Sequence, residues 1–101
     1  MMKSFGYMIK QAQKVQKQMS ELQARLADER HEATAGGGVV KAVVDGKQML
    51  KTLTIRPEAL NEDAALLEDL VLTAIGEAQR ASEARMKETL GQLTGGLPLP
   101  F

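Results

Sequence analysis

Four lysines, Lys3, Lys10, Lys14 and Lys17, fall within the first twenty residues, and no acid accompanies them. Ammonium groups in such a row suit phosphates, because pairing with a polyanion releases its counterions. The competing reading is an ordinary solvated helix face. The absence of any acid before Glu21 speaks for the phosphate reading. Two further cations, Arg85 and Lys87, stand in a region of opposite character: residues 58–101 hold eight acids against Arg80, Arg85 and Lys87. A formal net charge of zero therefore hides a basic beginning and an acidic end.

Other chemistries find little support. His31 is the only histidine, and no Ser, Cys or Asp is spaced to form a triad with it. At the end of a helix, its ordinary role is to bond the last carbonyls. Glu62-Asp63 and Glu68-Asp69 are paired carboxylates, but acids in the first turns of a helix need no catalytic explanation. Without cysteine there are no disulfides and no thiolate metal sites. One histidine and no loop of alternating acids leave no expected metal or cofactor site. The glycines of ATAGGGVVKAVVDG (residues 33–46) precede a valine-rich strand. A phosphate loop needs a strand before the glycines and a helix after them, so a sharp turn in a sheet is the better reading. Three aromatic residues, Phe5, Tyr7 and Phe101, are too few for base stacking on single strands. No enzyme and no small-molecule substrate is expected.

These lysines need an element to carry them. From about Ser4 to His31 there is no proline, and no glycine after Gly6. Phe5, Met8, Ala12, Val15, Met19, Leu22 and Leu26 recur at alternating steps of three and four, a heptad seam on a long helix. Relative to that seam, Lys3, Lys10 and Lys17 share position f and Lys14 takes position c, on the far face. A second helix runs from an N-cap at Asn61 to about Leu90, with Leu67, Leu70, Val71, Ala74, Ala78 and Ala81 on one face. Each helix spans roughly 40 Å. The two overhang any small sheet and should pair as an antiparallel arm. Its tip would then bring Lys3, Lys10 and Lys14 near Arg85 and Lys87.

Between the helices, Val39–Val44 and Gln48–Ile55 form a hairpin that reverses at Asp45-Gly46, with Glu32–Ala35 as a third strand. A four-residue loop sets Val44 opposite Met49 and Val40 opposite Leu53, matching apolar with apolar. The other face then carries Val39, Val43 and Leu50 among Lys41, Thr52 and Thr54. Two helices cover one face most simply, so Val39, Val43 and Leu50 are the expected dimer interface. With no apolar run near the roughly 20 residues that span a bilayer, a soluble cytoplasmic protein without a membrane partner is expected. The chain reads as one α+β domain over residues 1–94 with an apolar, proline-containing tail over residues 95–101.

Four segments carry a resemblance. MIKQAQKVQKQM (residues 8–19), AGGGVVKA (residues 35–42), LEDL (residues 67–70) and GGLP (residues 95–98) resemble, in order, segments of the YbaB/EbfC family of bacterial nucleoid-associated proteins. The departures are small: Asp45 stands where Asn is common, and Ala42 where Val is usual. The resemblance implies an α-β-β-β-α chain with a small antiparallel sheet and two long protruding helices. It also implies a homodimer shaped like tweezers, located at the nucleoid, that binds double-stranded DNA with little sequence preference. On that expectation Lys3, Lys10, Lys14, Lys17, Arg85 and Lys87 contact the duplex. The alternative is a dimeric protein-interaction scaffold that uses the arms or the tail.

Overall fold

The computed structural model describes residues 2–93, with side chains from Ser4 onward. The side chain of Lys3 and the tail at residues 94–101 lie outside the described residues. Helix α1 (Met2–Asp28) leads into strands β1 (His31–Ala35), β2 (Val40–Val44) and β3 (Leu50–Ile55). A 3-10 turn at Pro57–Asn61 then leads to helix α2 (Ala64–Leu93). The sheet is antiparallel in the order β1-β2-β3. The described chain measures 72 × 22 × 17 Å, with a radius of gyration of 19.7 Å. A compact chain of this length would have about 13 Å.

The core is small and lies between the sheet and α2. Alternate residues of β2, Val40, Ala42 and Val44, are fully buried with Ala74 and Ala78 of α2. The alanines let the helix approach the sheet closely, and Leu67, Leu70, Val71 and Ile75 close the rim. The β1–β2 turn is the run of glycines: Gly36, Gly37 and Gly38 all have positive φ. L-residues with a Cβ rarely adopt that conformation, which is why three glycines stand in succession.

Several sequence expectations change. Helix α1 stops at Asp28, and His31 opens β1 rather than ending a helix, with its Nε2 2.8 Å from Glu29 Oε1. The last carbonyls of α1 are met instead by Arg30, whose Nη1 donates to Ala27 O at 2.9 Å. Asn61 belongs to the 3-10 turn. The cap of α2 is Asp63, whose Oδ1 accepts the Leu66 N–H at 2.7 Å. The β2–β3 register is Val40↔Ile55, Ala42↔Leu53 and Val44↔Leu50, with an irregularity between Val43 and Val44. The loop is thus longer than expected, and Leu50 moves to the face of Val40 and Val44.

Asp45 causes the longer loop. Its Oδ1 accepts the N–H groups of Lys47 (2.8 Å) and Met49 (3.0 Å), while its own N–H donates to Met49 O. Gln48 completes the reversal at φ 67°. The hairpin also anchors both helices. The Ser82 hydroxyl donates to Asp45 O at 2.7 Å, and Gly46 N–H donates to Leu26 O at 2.7 Å. A Cβ on Gly46 would lie 2.7 Å from that same Leu26 oxygen, so only glycine lets α1 sit here.

Burial is the largest influence on the Asp45 carboxyl and pushes its pKa up. The Met49 and Lys47 N–H groups, with the Lys51 and Arg30 charges, together outweigh it and hold the group below its ordinary value. A depressed folded-state pKa stabilises the fold above the unfolded value of about 4. That contribution is lost as pH falls through the folded value. Asp45→Asn should therefore melt below wild type at pH 7, by several degrees. The gap should narrow in melting scans below pH 4; a gap that widens there would contradict this role.

Candidate nucleic-acid interface

Helix α1 carries the lysine row because its sequence is helix-forming throughout and polar on three sides. Only its last turns reach the body: Leu22 is 4% and Leu26 6% exposed, whereas Phe5 is 67% and Met8 66% exposed. The end of α2 comes beside the middle of α1, where Gln18, Glu21, Ala24, Arg25 and Leu93 line an open groove of about 590 Å³. Residues 2–17 therefore project beyond Leu93 by roughly 22 Å. Among the described residues, the tip of the arm is α1 alone.

On this prong Lys10, Lys14 and Lys17 are exposed, and none makes an ion pair with a described residue. Lys10 and Lys17, seven residues apart, are separated by about 10 Å along the axis on nearly one meridian. The expected meeting with Arg85 and Lys87 does not occur. Those residues precede Leu93 and lie level with the C-terminal turns of α1, about 20 Å along the axis from Lys10. The end of α2 meets α1 between residues 18 and 25, short of Lys10 and Lys14, which keeps their charges apart. Arg85 pairs with Glu88 at 3.2 Å and Lys87 with Glu83 at 3.2 Å, both within α2. Exposed pairs of this kind are weak, yet they leave less net charge for phosphates than the acid-free row on α1.

The three residues expected at a dimer interface do not share a face. Val39 belongs to the turn and packs on the subunit's own core. Val43, paired with Thr52, looks away from α2, while Leu50, paired with Val44, lies on the α2 side. The reason is the bulge, which shifts Leu50 relative to Val43 by one position. On the α2 side, β3 lies past the cover of the helix. Leu50 is 42% and Leu53 39% exposed there, with Ile55 beside them. The result is an apolar shelf along β3, which is an edge strand of the sheet among the described residues.

The opposite face of the sheet is polar, and the reading of the sequence gave two of its residues no role. Thr34, Gly38, Lys41, Thr54 and Arg56 line a second cavity of about 160 Å³ there. Alternation in β2 and β3 hinted at it by placing Lys41, Thr52 and Thr54 on one side, but nothing local shows that Arg56 folds back over the sheet. Among the described residues no group of acidic, histidine or cysteine side chains could hold a metal ion. No described helix is long and apolar enough to cross a membrane.

Comparisons with known proteins agree with this architecture. The profile of the YbaB/EbfC DNA-binding family matches residues 2–97. A protein of Desulforamulus reducens, named a nucleoid-associated protein, is 46% identical over 92% of this chain and 90% of its own. One of Clostridium kluyveri with the same name is 44% identical over 92% of this chain and 82% of its own. The crystal structure of an uncharacterized Helicobacter pylori protein superposes with a TM-score of 0.78, covering 86% of this chain and 92% of that one. At 23% identity it speaks for the fold alone.

Proposed function

The chain belongs to the YbaB/EbfC DNA-binding family, and from that premise we propose that it works as a homodimer gripping duplex DNA by its phosphates. The supporting observation is the free α1 prong, with Lys10, Lys14 and Lys17 exposed and making no ion pair with a described residue. Such lysines position a protein on the backbone without reading bases. The commonest base-specific contact is arginine to guanine, and the prong carries no arginine, so strong base readout is not expected. Lys3 belongs to the same row by sequence. Arg85 and Lys87, set back on α2, reach only DNA that lies against the inner part of the arm.

Two copies join through the shelf of Leu50, Leu53 and Ile55 along β3. An edge strand with apolar side chains and unpaired backbone groups is a ready surface for a second copy of itself. Pairing doubles the number of prongs, and the two act together on one duplex. The protein needs no cofactor for this and catalyses nothing. Its place is the nucleoid, as the names of its relatives suggest.

A second reading rests on the open apolar seam of α1, where Phe5, Met8, Val15 and Met19 are all exposed. A protein-interaction scaffold would use that seam rather than the lysines. Binding to duplexes of about 30 base pairs with unrelated sequences tests the first reading. Affinities within about threefold of one another are expected, since phosphates are common to all. No retention, or a preference beyond about 100-fold for one sequence, would overturn it.

A further inference from the structure

The polar face of the sheet holds a site that the prongs do not explain. Thr34, Lys41 and Thr54 are direct partners across β1, β2 and β3. Residues opposite one another on antiparallel strands share a face, so two hydroxyls flank one ammonium. Arg56 follows β3, and its N–H donates to Val39 O at 2.8 Å. Its guanidinium turns back against the glycine turn, where a Cβ on Gly38 would stand 3.7 Å from Nη2. Gly38 has φ 95°, so a larger residue there would be strained and would crowd the guanidinium. Neither Lys41 nor Arg56 makes an ion pair with a described residue.

We propose that this pocket binds one oxyanion of the phosphate class. The Lys41 ammonium and the Arg56 guanidinium supply its charge, and the hydroxyls of Thr34 and Thr54 donate to its remaining oxygens. The pocket's chemistry selects against the other classes. Two uncompensated cations repel a metal ion, and an apolar ligand would leave them desolvated without a partner. Arginine's planar fork is suited to phosphate oxygens, and lysine adds a point charge. Glu32, opposite Val43, shares this face one step along the strand and weakens the site without neutralising it. Because the pocket opens away from the shelf of Leu50 and Leu53, dimerisation through that shelf leaves two such sites open. The phosphate is either a free anion or a group of the DNA backbone.

Amide spectra of the full-length 15N-labelled protein test this, with sodium phosphate and a 20-base-pair duplex as separate probes against sodium chloride at matched ionic strength. Phosphate should shift the Gly38 amide and the Arg56 Nε–Hε signal saturably. The apparent Kd should rise at least tenfold in Lys41→Gln/Arg56→Gln and fall in Glu32→Gln. Both variants change solvent-facing side chains, and unchanged signals elsewhere show that they fold. If the anion is a DNA phosphate, the duplex also moves Gly38, and the double variant loses about 0.9 per subunit from the salt slope of binding. If it is a free anion, the duplex leaves Gly38 in place and the double variant binds DNA as wild type does. Signals that move with neither probe, or that move equally in the double variant, overturn the site. The signals of α1 report the prongs in the same titration, so failure of the pocket is distinct from failure of the prongs.

Discussion

Lys10→Glu/Lys17→Glu should weaken duplex binding at least about 100-fold at low salt while the protein melts within about 2 °C of wild type. Both residues are exposed on the free part of α1 and form no ion pair with a described residue, so the fold does not depend on them. In a dimer the change turns four cations into four anions along the surface that faces phosphates. A 100-fold loss needs only about 0.7 kcal/mol from each of the four, which is modest for a phosphate contact replaced by repulsion. Gel retardation measures it. Lys14 remains, so binding should weaken rather than vanish, and the gap from wild type should narrow as salt rises. An unchanged affinity would remove the prongs from DNA binding and favour the scaffold reading, in which the seam of Phe5, Met8 and Val15 matters instead.

Leu53→Asp should convert the proposed dimer to a subunit of 11.0 kDa. It should also cost DNA affinity about 100-fold or more, through loss of the second prong. Leu53 pairs with Ala42 on the α2 side of the sheet but beyond the helix, and is 39% exposed in the single subunit. An aspartate there is solvated in the monomer and desolvated without a partner in the dimer, so it penalises association and spares the fold. Two comparison variants sharpen the result. Val43→Asp, on the opposite face, should leave the mass of the dimer unchanged. Val39→Asp should unfold the subunit, because Val39 packs on the core and sits against Gly36. Light scattering and melting distinguish the three outcomes; a dimer surviving Leu53→Asp would place the interface elsewhere.

What the residues alone disclose depends on how local the cause is. The long helices are legible because their signals repeat: seven apolar positions in a row define α1, and alanines at 74 and 78 define the face of α2 that meets the sheet. The strand order follows from short valine- and threonine-rich runs with glycine between them. The register does not, because it depends on Asp45, which is held in place by Ser82 from 37 positions away and borders the hairpin contact with Leu26. One buried carboxylate with two backbone donors lengthens the loop and carries Leu50 to the other face. The same contacts set how far α1 and α2 overlap, which helix length cannot reveal. For that reason the lysine row is visible in the sequence as a stripe of charge, while its distance from Arg85 and Lys87 is not. Asp63 outcompeted Asn61 as a cap because the 3-10 turn from Pro57 absorbs Asn61.

The slope of log K against log salt for duplex binding, with the mass of the complex measured in the same solutions, tests the phosphate grip most directly. Lys10, Lys14 and Lys17 from each of two subunits should give a slope of about −5 for a complex of two subunits per duplex site. A slope near zero, or equally tight binding by a lone subunit, would contradict it.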